Sequence, residues 1–138
     1  MSRGVIVGYD GSACAKEALR TAVEVARAYG DPLTVVFGYE VNPMGGEVKD
    51  YADAVKDLAT RRLDEARALV GTEIDAEAVI VEREAAHGLA ELAKDRNARV
   101  IVVGTNGEGP LRGALLGSTP HKLLQLADRP VLVVPPTD

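Results

Sequence analysis

Runs of apolar residues recur along the chain at the length of a β-strand. In four of them β-branched residues follow one another, with little alternation between apolar and polar positions. Strands of a parallel sheet show this pattern because helices cover both faces of the sheet. We therefore predict five strands, GVIVGY (4–9), LTVVFGY (33–39), AEAVIVE (76–82), RVIVVG (99–104) and PVLVVP (130–135).

Between the strands, apolar residues recur at helical spacing and predict four helices. These helices are expected within residues 12–30, 48–71, 88–97 and 118–127. Gly30 is a typical residue for ending the first helix, and Pro120 fits the first turn of the fourth, with Ser118 or Thr119 as its N-cap. The charged stretch KDLATRRLDEAR in the second helix is interpreted as a solvated face with ion pairs one turn apart.

Strands that alternate with helices indicate an α/β protein with right-handed crossovers. We expect a doubly wound, Rossmann-like sheet of five parallel strands in the order 3-2-1-4-5, with four helices. Residues 1–138 contain no internal repeat, no low-complexity segment and no sign of a second core. The sequence therefore predicts a single domain.

The composition and net charge of the chain argue against some classes of binding partner. Hydrophobic residues make up 46% of the chain and the formal net charge is −5. That charge argues against nucleic-acid binding, which needs a basic surface, and it disfavours an anionic membrane. Cys14 is the only cysteine, as expected in a reducing compartment, and no apolar run approaches the ~18 residues of a membrane span. We expect a cytoplasmic protein.

A loop with five glycines, GTNGEGPLRGALLGST (104–119), joins the fourth strand to the last helix. Glycine lets a backbone approach a ligand closely, and a helix N-terminus presents unpaired N–H groups to an anion. In open α/β sheets ligands bind beyond the carboxyl ends of the strands, which is where this loop begins. The loop is predicted to be a phosphate-binding cradle.

A second candidate segment, YDGSA, follows the first strand. Asp10 is a possible ligand-binding or metal-binding residue, but it is also a typical turn or capping aspartate. Gly11 permits the turn, and Ser12 is placed to cap the first helix. Cys14 is interpreted as a packed small residue and His87 as a residue of local structural importance.

The glycines of the loop follow the pattern G-x2-G-x9-G-[ST]. Together with VGYDGS, VIVVGTNG, GSTPHKLL and RPVLVVP, this pattern resembles the universal stress protein family in its nucleotide-binding branch. The resemblance extends from Gly4 to Pro135. It implies a cytoplasmic ATP-binding protein, possible use of Mg²⁺, and action as a nucleotide-dependent sensor or regulator in stress adaptation through unknown protein partners.

The resemblance also implies roles for particular residues. Asp10 matches an aspartate near the ribose or a divalent ion, and the closing strand (130–135) matches an edge through which members form homodimers. Arg112, within the loop, is a candidate for offsetting phosphate charge. The resemblance implies that the adenine of the nucleotide is bordered by Gly8, Gly38, Tyr39, Val103 and Gly104. It implies phosphate contacts by Gly107, Gly117, Ser118 and Thr119.

Other functions stay open at this point. The preferred ligand can be AMP or cyclic AMP rather than ATP. The protein can instead be a slow ATP hydrolase that uses His121 and a metal ion held by Asp10. It can also bind no ligand and act only through its surface. No P-loop, dinucleotide fingerprint, nucleophile elbow or Cys/His metal set is present in the sequence. The family often has G-x-P ahead of the third helix, where this chain has Arg83, Glu84 and Ala85. The resemblance therefore does not predict how the chain enters that helix.

Overall fold

The computed structural model describes residues 3–38, 48–72, 74–106 and 118–136. Strands and helices alternate throughout, as the apolar pattern predicts. The elements in chain order are β1 Val5–Gly8, α1 Ala13–Tyr29, β2 Leu33–Gly38, α2 Val48–Val70, β3 Ala76–Val81, α3 Ala85–Arg96, β4 Val100–Gly104, α4 Ser118–Leu126 and β5 Val131–Val134.

The five strands form one parallel sheet in the order β3-β2-β1-β4-β5. β1 is central, with Val5 opposite Leu33 of β2 on one side and Val100 of β4 on the other. The strand order therefore reverses between β1 and β4, where open α/β sheets place their ligands. The predicted five-stranded, Rossmann-like fold is confirmed.

The two faces of the sheet carry separate cores. On one face α1 and α2 pack residues such as Leu19 and Leu63 against Val7 and Val35. On the other, α3 and α4 pack Leu89 and Leu123 in a second cluster that includes Ile6, Val36, Ile101 and Val103. Helices on both faces explain why the strands are apolar without alternation.

The first helix begins and ends at the residues that the sequence predicts. Ser12 accepts a hydrogen bond from the Ala15 N–H at 3.1 Å, and Gly30 ends the helix in the left-handed conformation at φ 68°. Its N–H donates to Arg27 O. Such caps satisfy backbone groups that a helix end leaves unpaired.

Three details of the other helices differ from the prediction. α3 begins at Ala85 rather than at Gly88, which lies in the first turn, where an added Cβ would lie 3.0 Å from Val81 Cγ1. In α2, Leu58 is exposed although the apolar spacing predicts it on the buried face; that spacing allows either Leu69 or Val70 there, and Val70 is the one that is buried. α4 begins at Ser118, so Ser118 and Thr119 both lie inside its first turn, as Pro120 does, and neither is the N-cap residue.

None of the helices within the described ranges combines the length and the apolar character that a membrane span requires.

Candidate functional site

The candidate site lies at the edge of the sheet where the strands have their carboxyl ends. Gly8, Gly38 and Gly104 are the last residues of β1, β2 and β4, and Asp10 follows β1 by two residues. α4 runs back from the same edge, which places Ser118 there as its first residue. The structure thus brings these predicted residues to one edge, whereas Tyr39, Gly107, Arg112 and Gly117 lie outside the described residues.

The turn after β1 is held by its own residues. Asp10 Oδ1 accepts a hydrogen bond from the Ser12 N–H at 2.9 Å, and Gly11 takes a φ of 85°, which a residue with a Cβ rarely adopts. Ser12 then caps α1. Asp10 is therefore a turn aspartate, and this role is compatible with a ligand contact through the same side chain.

Gly104 allows the end of β4 to lie directly against the first turn of α1. A Cβ on Gly104 would lie 2.6 Å from Cys14 Cβ and 2.8 and 2.9 Å from the Cys14 backbone carbon and oxygen. Cys14 is buried, and its Sγ lies 3.7 Å from Thr105 Oγ1. The close approach therefore requires glycine for packing, and Cys14 is the packed small residue that the sequence predicts.

Gly8 and Val103 belong to the core on the α3–α4 face. A Cβ on Gly8 would lie 3.0 Å from Leu89 Cδ1 and 3.4 Å from Val103 Cγ1. Val103 as a whole residue is only 3% exposed. Its side chain is therefore packed within this core.

Gly38 lies against the start of α3. A Cβ on Gly38 would lie 2.8 Å from Ala85 Cα and 3.2 Å from Arg83 O. Glu84, the N-cap residue, makes no side-chain cap bond. Its carboxylate instead accepts from Lys122 Nζ at 2.7 Å and lies 3.0 Å from His87 Nδ1. The Lys122 ammonium, assisted by His87, holds the pKa of Glu84 below its ordinary value.

A charged cluster beside the β1–α1 turn was not predicted. The buried Tyr9 donates its hydroxyl proton to Glu65 Oε1 at 2.5 Å. Lys16 Nζ lies 3.7 Å from the same oxygen, and Arg62 Nη1 lies 3.4 Å from Glu65 Oε2. Burial and then the bond to Glu65 raise the pKa of Tyr9, and the same bond lowers the pKa of Glu65.

The interpretation of the α2 charges as a solvated face is wrong for Arg62 and Glu65, which contact the turn after β1. The only sequence signal was Tyr9 itself, because a buried tyrosine hydroxyl requires a hydrogen-bond partner. Its partner lies 56 residues away along the chain. Nothing local in the sequence connects the two.

Two further side chains lie near the ends of the glycine-rich loop. Asn106 Oδ1, within the part of the chain that the structure describes, is buried without a hydrogen-bond partner. A buried acceptor of this kind is costly unless a ligand or water supplies a donor. His121 is exposed on the first turn of α4.

The described side chains at this edge offer few groups that could hold a metal ion. The described ranges hold no group of three or more His, Cys, Asp or Glu side chains arranged to bind a metal ion. Mg²⁺, however, is commonly held by one or two carboxylates together with substrate phosphates. Asp10 at this edge is compatible with that kind of site.

The fold defines a class: parallel α/β proteins whose strand order reverses beside the central strand, the place where open sheets of this kind bind their ligands. Within that class, the sequence profile of the universal stress protein family matches residues 1–135. A Thermus aquaticus relative named "Universal stress protein in QAH/OAS sulfhydrylase 3'region" is 33% identical over 137 residues, covering 97% of this chain and 99% of its own. The chain belongs to the universal stress protein family.

Solved structures agree with this assignment. The universal stress protein UspA of Lactobacillus plantarum shares the fold, with a TM-score of 0.85 over 95% of this chain and 96% of its own at 20% identity. A universal stress protein in complex with cAMP is 28% identical, with a TM-score of 0.70 over 97% of each chain. The Archaeoglobus fulgidus protein in complex with dAMP is 27% identical, with a TM-score of 0.73 over 95% of this chain and 96% of its own.

Proposed function

We propose that this protein binds an adenine nucleotide, ATP with Mg²⁺ in the first place, at the carboxyl edge of the sheet between β1 and β4. Occupancy of that site regulates the affinity of the protein for its partners in stress adaptation. The observation that carries the proposal is the position of the G-x2-G-x9-G-[ST] pattern. It begins at Gly104, the last residue of β4, and ends at Ser118, the first residue of α4.

This position supports phosphate binding for a physical reason. The first helical turn of α4 presents backbone N–H groups at the switch point of the sheet, and its dipole favours an anion there. Asn106, two residues beyond β4, has a buried Oδ1 that finds no hydrogen-bond partner among the described residues. A ribose hydroxyl or the adenine amino group would supply the donor that this oxygen lacks.

Relatives support the same class of ligand. Two of the solved relatives were captured with cAMP and with dAMP, and both cover nearly the whole chain. Each of these two ligands contains an adenine base and a phosphate group. The cAMP complex also favours a second candidate function, in which this protein responds to cyclic AMP rather than to ATP.

Asp10 is the residue that we propose to contact Mg²⁺ together with the nucleotide phosphates. A bound Mg²⁺ would neutralise phosphate charge at an edge that otherwise presents the Asp10 carboxylate. Because Asp10 also holds the turn through the Ser12 N–H, the ion would be positioned by the same turn that starts α1.

We further propose a cytoplasmic homodimer formed through residues 130–135. β5 is an edge strand of the sheet, paired only with β4 among the described strands. Leu132, in its middle, is 38% exposed. An edge strand with unpaired backbone groups is a natural site for pairing with a second copy.

The proposal is tested by calorimetric titration of nucleotide-free protein with ATP, with and without Mg²⁺, and then with cyclic AMP and with GTP. Saturable ATP binding near one per chain, with GTP much weaker, is the expected result. Tighter binding of cyclic AMP would support the second candidate. Failure to bind any adenine nucleotide would refute both.

The metal role of Asp10 is tested by Asp10→Asn. An asparagine still offers an oxygen to the Ser12 N–H but removes the charge, so the turn is retained and the gain in ATP affinity from Mg²⁺ is lost. Asp128→Asn, which removes an exposed carboxylate just before β5, is the matched control and should keep that gain. A full Mg²⁺ effect in Asp10→Asn would refute the assignment.

A further inference from the structure

α2 places an arginine across the turn that follows β1. The Arg62 side chain lies so close to Gly11 that a Cβ there would be 2.7 Å from Arg62 Cδ and Nε and 3.0 Å from Cζ. The guanidinium group therefore lies directly against the backbone of the turn between Asp10 and Ser12. The absence of a side chain at Gly11 creates the space that Arg62 occupies.

This guanidinium group is only weakly engaged by the protein. In the described ranges its hydrogen-bond partner is Glu65, at 3.4 Å, a distance beyond the usual range for N–H···O bonds. Glu65 already accepts the short bond from Tyr9 and also faces Lys16. Arginine carries five N–H donors in a planar fork, so most of the donor capacity of Arg62 is not used by Glu65.

The position of Arg62 is partly exposed, at 31% of its side chain, beside the edge that holds Asp10. A planar guanidinium group binds phosphate through two parallel N–H···O bonds, and partial burial strengthens such charge-assisted bonds. The whole chain is acidic, with a net charge of −5. A nearby cation therefore favours the binding of a nucleotide polyanion, and Arg62 supplies one on α2, outside the glycine-rich loop.

We propose that Arg62 binds a phosphate group of the nucleotide and makes the site selective for nucleotides over nucleosides. This inference rests on the proposed function and deepens it, since it assigns recognition of the anionic part to α2. The Glu65 carboxylate lies 3.4 Å from the guanidinium group, and it is itself contacted by Tyr9 and Lys16. The cluster thus connects phosphate binding to the α1–α2 face of the sheet.

The test compares Arg62→Gln with Arg61→Gln, which removes the same charge from the neighbouring exposed position of α2. Calorimetry measures the Kd of each variant for ATP and for adenosine, and thermal unfolding confirms that both variants are folded. Arg62→Gln is expected to weaken ATP binding by about tenfold or more, as loss of a charge-assisted bond implies, and to leave adenosine binding unchanged. Arg61→Gln should change neither Kd by more than about twofold.

Two readouts distinguish phosphate binding from support of the turn. ATP affinity of the parent protein should fall more steeply with added salt than that of Arg62→Gln, and Arg62→Lys should retain part of the affinity. Equal loss of ATP and adenosine binding would mean that Arg62 only holds the turn, and this result would overturn the proposal.

ATP binding by Arg62→Gln at parental strength would overturn this inference while the proposed function stands. Absence of binding by the parent protein would refute the proposed function itself, and the role of Arg62 with it. The parent titration is therefore performed first.

Discussion

The helices α1 and α3 both begin at the carboxyl edge of the sheet, and they are held there in different ways. The start of α1 is fixed by its own residues, with Asp10 and Ser12 bonded to nearby N–H groups and Gly11 in a left-handed conformation. The start of α3 has no side-chain cap, and Glu84 is bonded instead to Lys122 of α4. Local sequence determines the first start, and contacts between distant elements determine the second.

Each of these starts also lies against a glycine at the end of a strand. Gly104 faces Cys14 at the start of α1, and Gly38 faces Ala85 at the start of α3. The comparison indicates that a helix start at this edge needs a strand end without a side chain, whichever way its cap is made. The four substitutions below test that comparison in order of expected effect.

Gly104→Ala should be the most destabilising change. Its Cβ would lie within 2.6 to 2.9 Å of three Cys14 atoms, two of them backbone atoms that cannot move without shifting α1. We expect a loss of about 3 kcal/mol in the free energy of unfolding, measured by urea denaturation. Gly88→Ala, whose Cβ would lie 3.0 Å from the Val81 side chain rather than from backbone and which gains helix propensity, is the control and should cost clearly less. Equal stability of the two variants would contradict this account of Gly104.

Gly38→Ala should come second. Its Cβ would lie 2.8 Å from Ala85 Cα, but its other contacts, with Arg83 O and Ala85 N, are 3.2 and 3.3 Å. A loss of about 1–2 kcal/mol in the same urea experiment is expected, since one short contact is relieved more easily than three. A loss larger than that of Gly104→Ala would reverse the ranking of the two helix starts.

Ser12→Ala should remove about 1 kcal/mol of stability, the usual contribution of an N-cap side chain. The reason is the loss of the 3.1 Å bond from the Ala15 N–H. Ser12→Thr retains the hydroxyl and serves as the control. If Ser12→Ala and Ser12→Thr unfold at the same urea concentration, the cap does not determine the start of α1.

Glu84→Gln should have the smallest effect, about 0.5 kcal/mol, because the bridge to Lys122 is partly exposed and screened by water. The pKa of Glu84 is lower in the folded protein than its ordinary value of 4.5. The contribution of the carboxylate is therefore fully present above pH 4.5 and is lost as the pH falls through the lower, folded value. Urea titrations of both proteins at several pH values measure this, and a stability difference that persists at strongly acid pH would contradict it.

The contrast between local and distant contacts explains which features of the structure the sequence predicts and which it does not. The five strands, their order and the caps of α1 depend on apolar runs and on residues such as Ser12 and Gly30 that act over a few positions. The early start of α3 depends on Gly38, Val81 and Lys122, which are remote in sequence. For the same reason the contact of Arg62 with Gly11 has no local signal, although Asp10, Gly104 and Ser118 were assigned to the correct edge.

The central position of β1 has a consequence for how the chain is made. Val5 pairs on one side with Leu33, which emerges early in synthesis, and on the other with Val100, which emerges late. Parallel pairings between distant segments form slowly because a long loop must close first. The β1–β2–β3 half therefore leaves the ribosome with one flank of β1 unpaired, and the crevice between β1 and β4 exists only after most of the polypeptide has been translated.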